Sequence, residues 1–92
     1  MRARWSRQSS EHLRRIRKHI ARNNRSAAER VRLRIIETVR QLQRLPRRGR
    51  RGRRAGTRQL PVVQLPYIIV YRIDIEDDQI VILGIFHAAQ EW

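Results

Sequence analysis

The sequence predicts a single α+β domain in which an N-terminal strand is followed by an antiparallel helical hairpin packed on an antiparallel sheet of three to four strands. Two patterns support this class. Apolar residues recur at spacings of three and four over residues 7–45, as in amphipathic helices, and at spacings of two over residues 59–87, as in strands. The length of 92 residues allows one small domain, and the absence of cysteine excludes a disulfide scaffold and a thiolate metal site.

The first two elements follow from the opening residues. Apolar and basic residues alternate and predict a strand at residues 2–5, with Trp5 on its buried face. Ser6 is a good helix N-cap, because its side chain accepts a hydrogen bond from a free backbone amide. The helix predicted over residues 7–23 carries one apolar stripe, formed by Leu13, Ile16 and Ile20.

The second helix is predicted over residues 26–45. Ser26 and Glu29 have the spacing of a capping box, and Pro46 ends the helix. The connection to the first helix is only a few residues long, so the two helices must be antiparallel neighbours. Leu33 and Ile36 add more apolar surface than this seam needs, and we expect this strip to receive a helix or strand of a partner protein.

Residues 46–58 form an arginine-rich segment, with seven arginines and three glycines among thirteen residues. This composition predicts a mobile loop that does not pack. It suits an arm that seeks phosphate or carboxylate groups, and it also suits a solvated linker whose charge only maintains solubility. No aromatic residue lies between the arginines, so base stacking is not indicated. The candidate binding residues here are Arg50, Arg51, Arg53, Arg54 and Arg58.

Three strands are predicted in the last third of the chain, at residues 59–64, 67–75 and 79–87. The last is apolar on both faces and should lie in the middle of the sheet. The acidic residues around the connection of the last two strands are interpreted as part of a polar hairpin turn and not as a metal site: Asp74, Glu76, Asp77 and Asp78. Arg72 lies on the polar face of the strand at 67–75 and is a further candidate binding residue.

Charge is distributed very unevenly along the chain. Residues 1–58 carry 20 arginines and Lys18 against three acidic residues, whereas residues 59–92 carry one arginine against five acidic residues. The basic part repels itself, so an anionic partner would relieve this repulsion as it binds. Candidate partners are nucleic acid, a machine that carries nucleic acid, or an acidic protein. Arginine also binds phosphate and carboxylate through paired hydrogen bonds, although a coding bias toward arginine explains its excess over lysine equally well.

No membrane contact is expected. The longest apolar runs, residues 67–71 and 80–86, are far too short to span a bilayer, and the opening residues contain no hydrophobic stretch of a secretory signal. A cytoplasmic location is therefore expected.

Several short segments together resemble a known family. They are Arg4-Trp5-Ser6, Gly56-Thr57-Arg58-Gln59-Leu60, Pro66-Tyr67-Ile68-Ile69-Val70-Tyr71-Arg72 and His87-Ala88-Ala89-Gln90-Glu91-Trp92. With the order of elements, they resemble the ParE/RelE toxin superfamily of bacterial type II toxin–antitoxin modules. The resemblance covers the whole chain. It implies a small basic toxin, inhibited by an antitoxin whose flexible segment wraps over it.

The same resemblance suggests which branch of the superfamily is closer. RelE-like members cut mRNA in the ribosomal A site and place arginines at positions that Ile68 and Ala88 occupy here. They commonly end with a tyrosine near the C-terminus, and this chain has none after Tyr71. Ile and Ala cannot stabilise the charge that develops on a cleaved phosphodiester. The pattern is therefore closer to ParE-like members, which poison DNA gyrase by binding.

This reading assigns no catalytic residue, no metal and no cofactor. The expected partners are an acidic antitoxin and DNA gyrase; the alternative is the ribosome with its mRNA, in which case His87, Arg58 and Arg72 would carry the cleavage. A third possibility is a non-toxic basic module that binds nucleic acid. His87 is read first as a cap on the last strand and second as a contact residue, and Trp92 as either a lid on the sheet or an exposed binding anchor.

Overall fold

The computed structural model describes residues 1–89 and confirms the α+β class. Its elements are β1 (Arg2–Trp5), α1 (Arg7–Ala21), α2 (Arg25–Arg44), a short 3-10 turn (Pro46–Arg48), β2 (Arg50–Arg51), β3 (Arg58–Pro61), β4 (Tyr67–Asp74) and β5 (Gln79–His87). None of the helices within these residues is long and apolar enough to cross a membrane.

The sheet has five strands in the order β1-β5-β4-β3-β2. Neighbours pair antiparallel except for β1, which runs parallel to β5, so the sheet is mixed. The sequence predicted only three to four strands, all antiparallel, and this prediction missed two features of the sheet. The parallel pairing of β1 with β5 joins strands from opposite ends of the chain, and the two-residue β2 is too short to show a period of two.

The core lies between the helical hairpin and one face of the sheet. β5 is an interior strand, paired with β1 on one side and β4 on the other, but the middle strand of the five is β4, so the predicted middle position is off by one strand. Trp5 is half-buried and packs against this core. The buried members of the core are Ile35, Val39, Leu42, Val62, Ile69, Tyr71, Ile80, Ile82 and Ile85.

The helix starts show one correct and one incorrect prediction. The Ser6 side chain accepts a hydrogen bond from the backbone amide of Ser9, at 3.0 Å, and caps α1 as expected. The capping box predicted at Ser26 is wrong, because the side chain of Asn24 caps α2 by accepting from the amide of Ala27, at 3.0 Å. Asparagine is as good a cap as serine, and it comes first along the chain.

The edge of β5 continues beyond the end of β1, and α1 covers it. The backbone amide of Ser6 donates to the carbonyl of Ile82, at 3.0 Å, and the amide of Ile85 donates to Nδ1 of His12, at 3.1 Å. The His12 ring also meets Phe86 edge-on, with centroids 5.0 Å apart. His12 therefore takes the place that a neighbouring strand would occupy and satisfies a buried amide.

We expect this contact to make stability depend on pH. Burial, with a smaller contribution from Arg15, lowers the pKa of His12 from its ordinary value of 6.5. The unfolded chain therefore takes up a proton first as pH falls, and the free energy of unfolding should fall from about pH 7 downward through 6.5 until the folded pKa is passed.

Urea unfolding at a series of pH values measures this. His12→Leu should destabilise the fold by about 1–3 kcal/mol at pH 8, since it leaves the Ile85 amide unpaired. His12→Asn replaces the Nδ1 acceptor with an amide oxygen, which does not titrate, and should flatten the pH dependence below pH 7. A wild-type slope that His12→Asn leaves unchanged would show that another group is responsible.

Candidate functional site

A buried tyrosine fixes the start of the arginine-rich segment. The hydroxyl of Tyr71 in β4 donates to the carbonyl of Pro46, at 2.6 Å, and accepts from the amide of Gly49, at 2.9 Å. Tyr71 is fully buried, and burial raises the pKa of its hydroxyl, which stays protonated and able to donate. The prediction that residues 46–58 do not pack is thus wrong: they include the 3-10 turn and β2, and Gly49 is buried.

Further hydrogen bonds close the remainder of this segment. The amide of Gly52 donates to the carbonyl of Thr57, at 2.8 Å, and the Thr57 hydroxyl donates back to the carbonyl of Arg54, at 2.6 Å. Gly56 has a φ of 78°, a left-handed conformation that glycine adopts without strain. Residues 47–58 therefore form a defined hairpin at the sheet edge, which we call the arginine hairpin.

The arginine hairpin lines a cavity of about 440 Å³. One side of the cavity is basic, and the opposite wall is apolar, formed by Ile73 and by Ile75, which is 70% exposed. None of the described residues that line it is acidic. The basic side chains that line it are those of Arg47, Arg51, Arg54 and Arg58.

Arg58 and Arg72, predicted together as candidates, have different surroundings. The Arg58 guanidinium donates to the carbonyl of Gly49, at 2.7 Å, so it helps to hold the hairpin. Arg58 pairs in register with Tyr71, the residue before Arg72, and successive strand residues face opposite sides. Arg72 therefore projects from the other face of the sheet, where its guanidinium lies 3.9 Å from the carboxylate of Asp74.

His87 is the last residue of β5 and lies far from Arg72 along the paired strands β4 and β5. Its Nδ1 accepts from the amide of Ala89, at 3.1 Å, and its ring meets that of Tyr67 edge-on at 5.8 Å. Tyr67 is its partner in register, and Arg72 lies five residues further along β4, about 17 Å away at the rise of an antiparallel strand. The three residues named for a nuclease, His87, Arg58 and Arg72, are not brought into one pocket.

The helical hairpin carries a second surface, a groove of about 410 Å³ between α1, α2 and β1. Its apolar floor includes Trp5, Leu13 and Ile36, and its rim is formed by Arg14, Arg17 and Arg32. Leu33 of α2 is 52% exposed. We give the name helical groove to the residues that line this second surface. The sequence predicted Leu33 and Ile36 as spare apolar surface but not the basic rim.

Two other sequence predictions fall outside these surfaces. The carboxylate of Asp74 accepts hydrogen bonds from the Gln79 side chain and the Asp77 amide, and these bonds lower the pKa of Asp74. No group of three acidic or histidine side chains within residues 1–89 is arranged to hold a metal ion. Trp92 lies outside the described residues.

Sequence reasoning missed the two residues that give the arginine hairpin its shape. Tyr71 was noted only in the strand segment that resembles the family, and Gly49 only as one of three glycines in the arginine-rich segment. A signal was present, because a buried tyrosine hydroxyl almost always requires a hydrogen-bond partner.

Comparison with known proteins agrees with this fold. A family model described as the ParE toxin of the type II toxin–antitoxin system, parDE, matches residues 3–92. A solved chain described as the chromosomal ParDE TA system from P. aeruginosa is similar in structure, with a TM-score of 0.84 and 26% sequence identity, and the match covers 95% of each chain. No curated protein matches the sequence.

Proposed function

The chain belongs to the ParE toxin family of type II toxin–antitoxin systems, and from this premise we propose that it inhibits DNA gyrase by binding to it and that an acidic antitoxin neutralises it. Both partners act in the cytoplasm, which we propose as its location. The inhibition is mechanical: the toxin occupies a surface of gyrase and breaks no covalent bond.

The spacing of the cationic and titratable groups supports binding over RNA cleavage. Cleavage by the 2′-hydroxyl needs a base, an acid and cations around one phosphate. His87 and Arg72 are separated by about 17 Å along the paired strands, and Arg58 projects from the opposite face to Arg72. Ile68 and Ala88, at the positions that carry arginines in RelE-like toxins, bring no charge to His87.

A supercoiling assay with purified gyrase tests the proposal. We expect the full chain to inhibit supercoiling at a modest molar excess, and the wild-type protein to leave mRNA uncut in a translation extract run beside it. Supercoiling that proceeds unchanged at high excess would rule out gyrase as the target. Codon-positioned cuts that His87→Ala abolishes would instead assign the RelE-like activity.

The helical groove is our proposed site for the antitoxin. An amphipathic acidic segment would place apolar side chains on Trp5, Leu13 and Ile36 and carboxylates against the rim. Glu11 and Glu29 already pair with Arg14 and Arg32, but these pairs are exposed and contribute little to stability, so an incoming carboxylate can replace them.

Leu33→Glu should weaken antitoxin binding about tenfold or more, because it adds a negative charge and removes apolar surface beside the helical groove. The cognate antitoxin is the probe, with affinity measured by calorimetry. Ile75→Glu is the matched control, since Ile75 is also exposed but lies in the turn after β4 and lines the other cavity. An equal loss in both variants would place the antitoxin elsewhere.

A further inference from the structure

The arginine hairpin is a concentrated positive charge without an internal counter-charge. Residues 47–58 contain seven arginines and no acidic residue. The ion pairs found within the described residues involve Arg14, Arg32, Arg40 and Arg72, and none of the hairpin arginines. The charge is therefore available to an external anion.

The backbone that carries these arginines is already fixed. Tyr71 and Arg58 hold the Gly49 end, and the hydrogen bonds of Gly52 and Thr57 close the tip. A preorganised surface loses less conformational entropy on binding than a disordered arm, so more of the electrostatic attraction appears as affinity.

The guanidinium groups leave both faces of the ribbon that β2 and β3 form at the sheet edge, where β3 is also paired with β4 on its other side. Arg51 pairs in register with Arg58, on the side of the cavity. Arg50 pairs with Gln59, one position away, and so lies on the opposite face. Such a ribbon can contact two rows of anions at once, one on each side.

We propose that the arginine hairpin binds the phosphate backbones of B-form duplex DNA without reading its sequence. The major groove of B-DNA admits a two-stranded β-ribbon and has a phosphate backbone along each side. The deep and narrow major groove of A-form RNA does not admit one. Single strands are bound largely by stacking on aromatic residues, and residues 47–58 contain none.

An acidic peptide is the competing ligand. The apolar wall of Ile73 and Ile75 would suit aliphatic side chains between carboxylates. However, this wall lies on one face only, and Arg48, Arg50 and Arg53 are not among the residues that line the cavity. A peptide in the cavity would leave these three charges unused, whereas a duplex would use both faces.

The inference goes beyond gyrase inhibition, because it concerns DNA alone. It is tested by fluorescence anisotropy with the full chain and a labelled duplex of mixed sequence, in the absence of gyrase. With about four phosphate contacts, affinity should fall on the order of 100-fold between about 50 mM and about 200 mM salt. Arg51→Gln with Arg54→Gln removes two of these contacts and should reduce this fall to about 10-fold.

The control is Arg22→Gln with Arg25→Gln, which removes the same charge from exposed positions at the other end of α2, about 30 Å away. It should leave the salt dependence nearly unchanged. Equal effects in both double variants, or tighter binding to single-stranded DNA or duplex RNA, would overturn the proposal.

An unlabelled peptide of alternating glutamate and leucine provides the second arm. Duplex DNA should resist displacement by it, and Ile75→Ser should bind DNA as the wild type does. If the peptide displaces DNA from the wild type at an equal concentration of charges, and fails to do so with Ile75→Ser, the surface would be reassigned to an acidic protein. Because gyrase is absent from the DNA-binding assay, a failure to bind DNA would not count against gyrase inhibition. A failure to inhibit supercoiling would likewise not count against DNA binding.

Discussion

Replacing Gly49 with alanine should destabilise the protein by about 2–4 kcal/mol, although only one methyl group is added. A Cβ at this position would lie 2.5 Å from the Tyr71 hydroxyl oxygen, 2.7 Å from Tyr71 Cε1 and 3.0 Å from the carbonyl oxygen of Gln59. Tyr71 is fully buried and cannot move aside without disturbing the core. The substitution therefore adds steric strain and breaks the hydrogen bond between Gly49 and Tyr71.

Urea unfolding measures this effect, and Gly52→Ala is the matched control. The methyl group at position 52 would first meet the hydroxyl of Thr57, which can rotate away only by breaking its hydrogen bond to the carbonyl of Arg54, so the loss should be about 1 kcal/mol, clearly less than at position 49. A double-mutant cycle with Tyr71→Phe should show strong coupling, since each single change breaks the same hydrogen bond. Equal losses at positions 49 and 52 would show that Tyr71 does not hold the hairpin.

Periodic patterns account for the parts of the fold that could be predicted. The spacing of Leu13, Ile16 and Ile20 predicts α1, and the alternation through residues 67–75 predicts β4 almost to its end. These signals are local, because each residue's environment is set by neighbours within the same element. The interior position of β5, with a neighbouring strand on each side, followed in the same way from its two apolar faces, although β4 is the middle strand.

Contacts between distant parts of the chain account for most of what was missed. The Tyr71 hydroxyl lies 22 residues from Gly49 and 25 from Pro46. No periodicity of the arginine-rich segment reports such a contact, so composition alone predicted an unpacked loop. The parallel pairing of β1 with β5 was missed for the same reason, since it joins the two ends of the chain.

The candidate site shows the same division between features that local patterns predict and features that depend on distant contacts. The arginines at positions 50, 51, 53, 54 and 58 were identified by their density, and Leu33 and Ile36 by an excess of apolar surface. The cavity wall formed by Ile73 and Ile75 was not identified, because the alternation through residues 67–75 extends the predicted strand over Ile75. The strand ends at Asp74, and Ile75 lies exposed in the turn that follows.

Ile82→Ala should be the most destabilising conservative change in the sheet, with a loss of about 2–5 kcal/mol. Ile82 is fully buried in β5 and pairs in register with Trp5 of β1 and with Tyr71 of β4. Its side chain therefore supports the strands on both sides, and its removal leaves a cavity that the surrounding core cannot fill. Thermal unfolding should show a melting temperature lower by about 4–8 °C for each kcal/mol lost.

Ile75→Ala provides the control, because the residue change is identical and Ile75, in the turn after β4, is 70% exposed. Its effect should stay within about 0.5 kcal/mol.

The net charge of +14 adds a second test, since self-repulsion opposes the compact state and is screened by salt. Salt should raise the stability of the wild type, Ile82→Ala and Ile75→Ala alike, because the cavity and the charge act independently. A salt response found only in Ile82→Ala would contradict this separation and would tie core packing to charge repulsion.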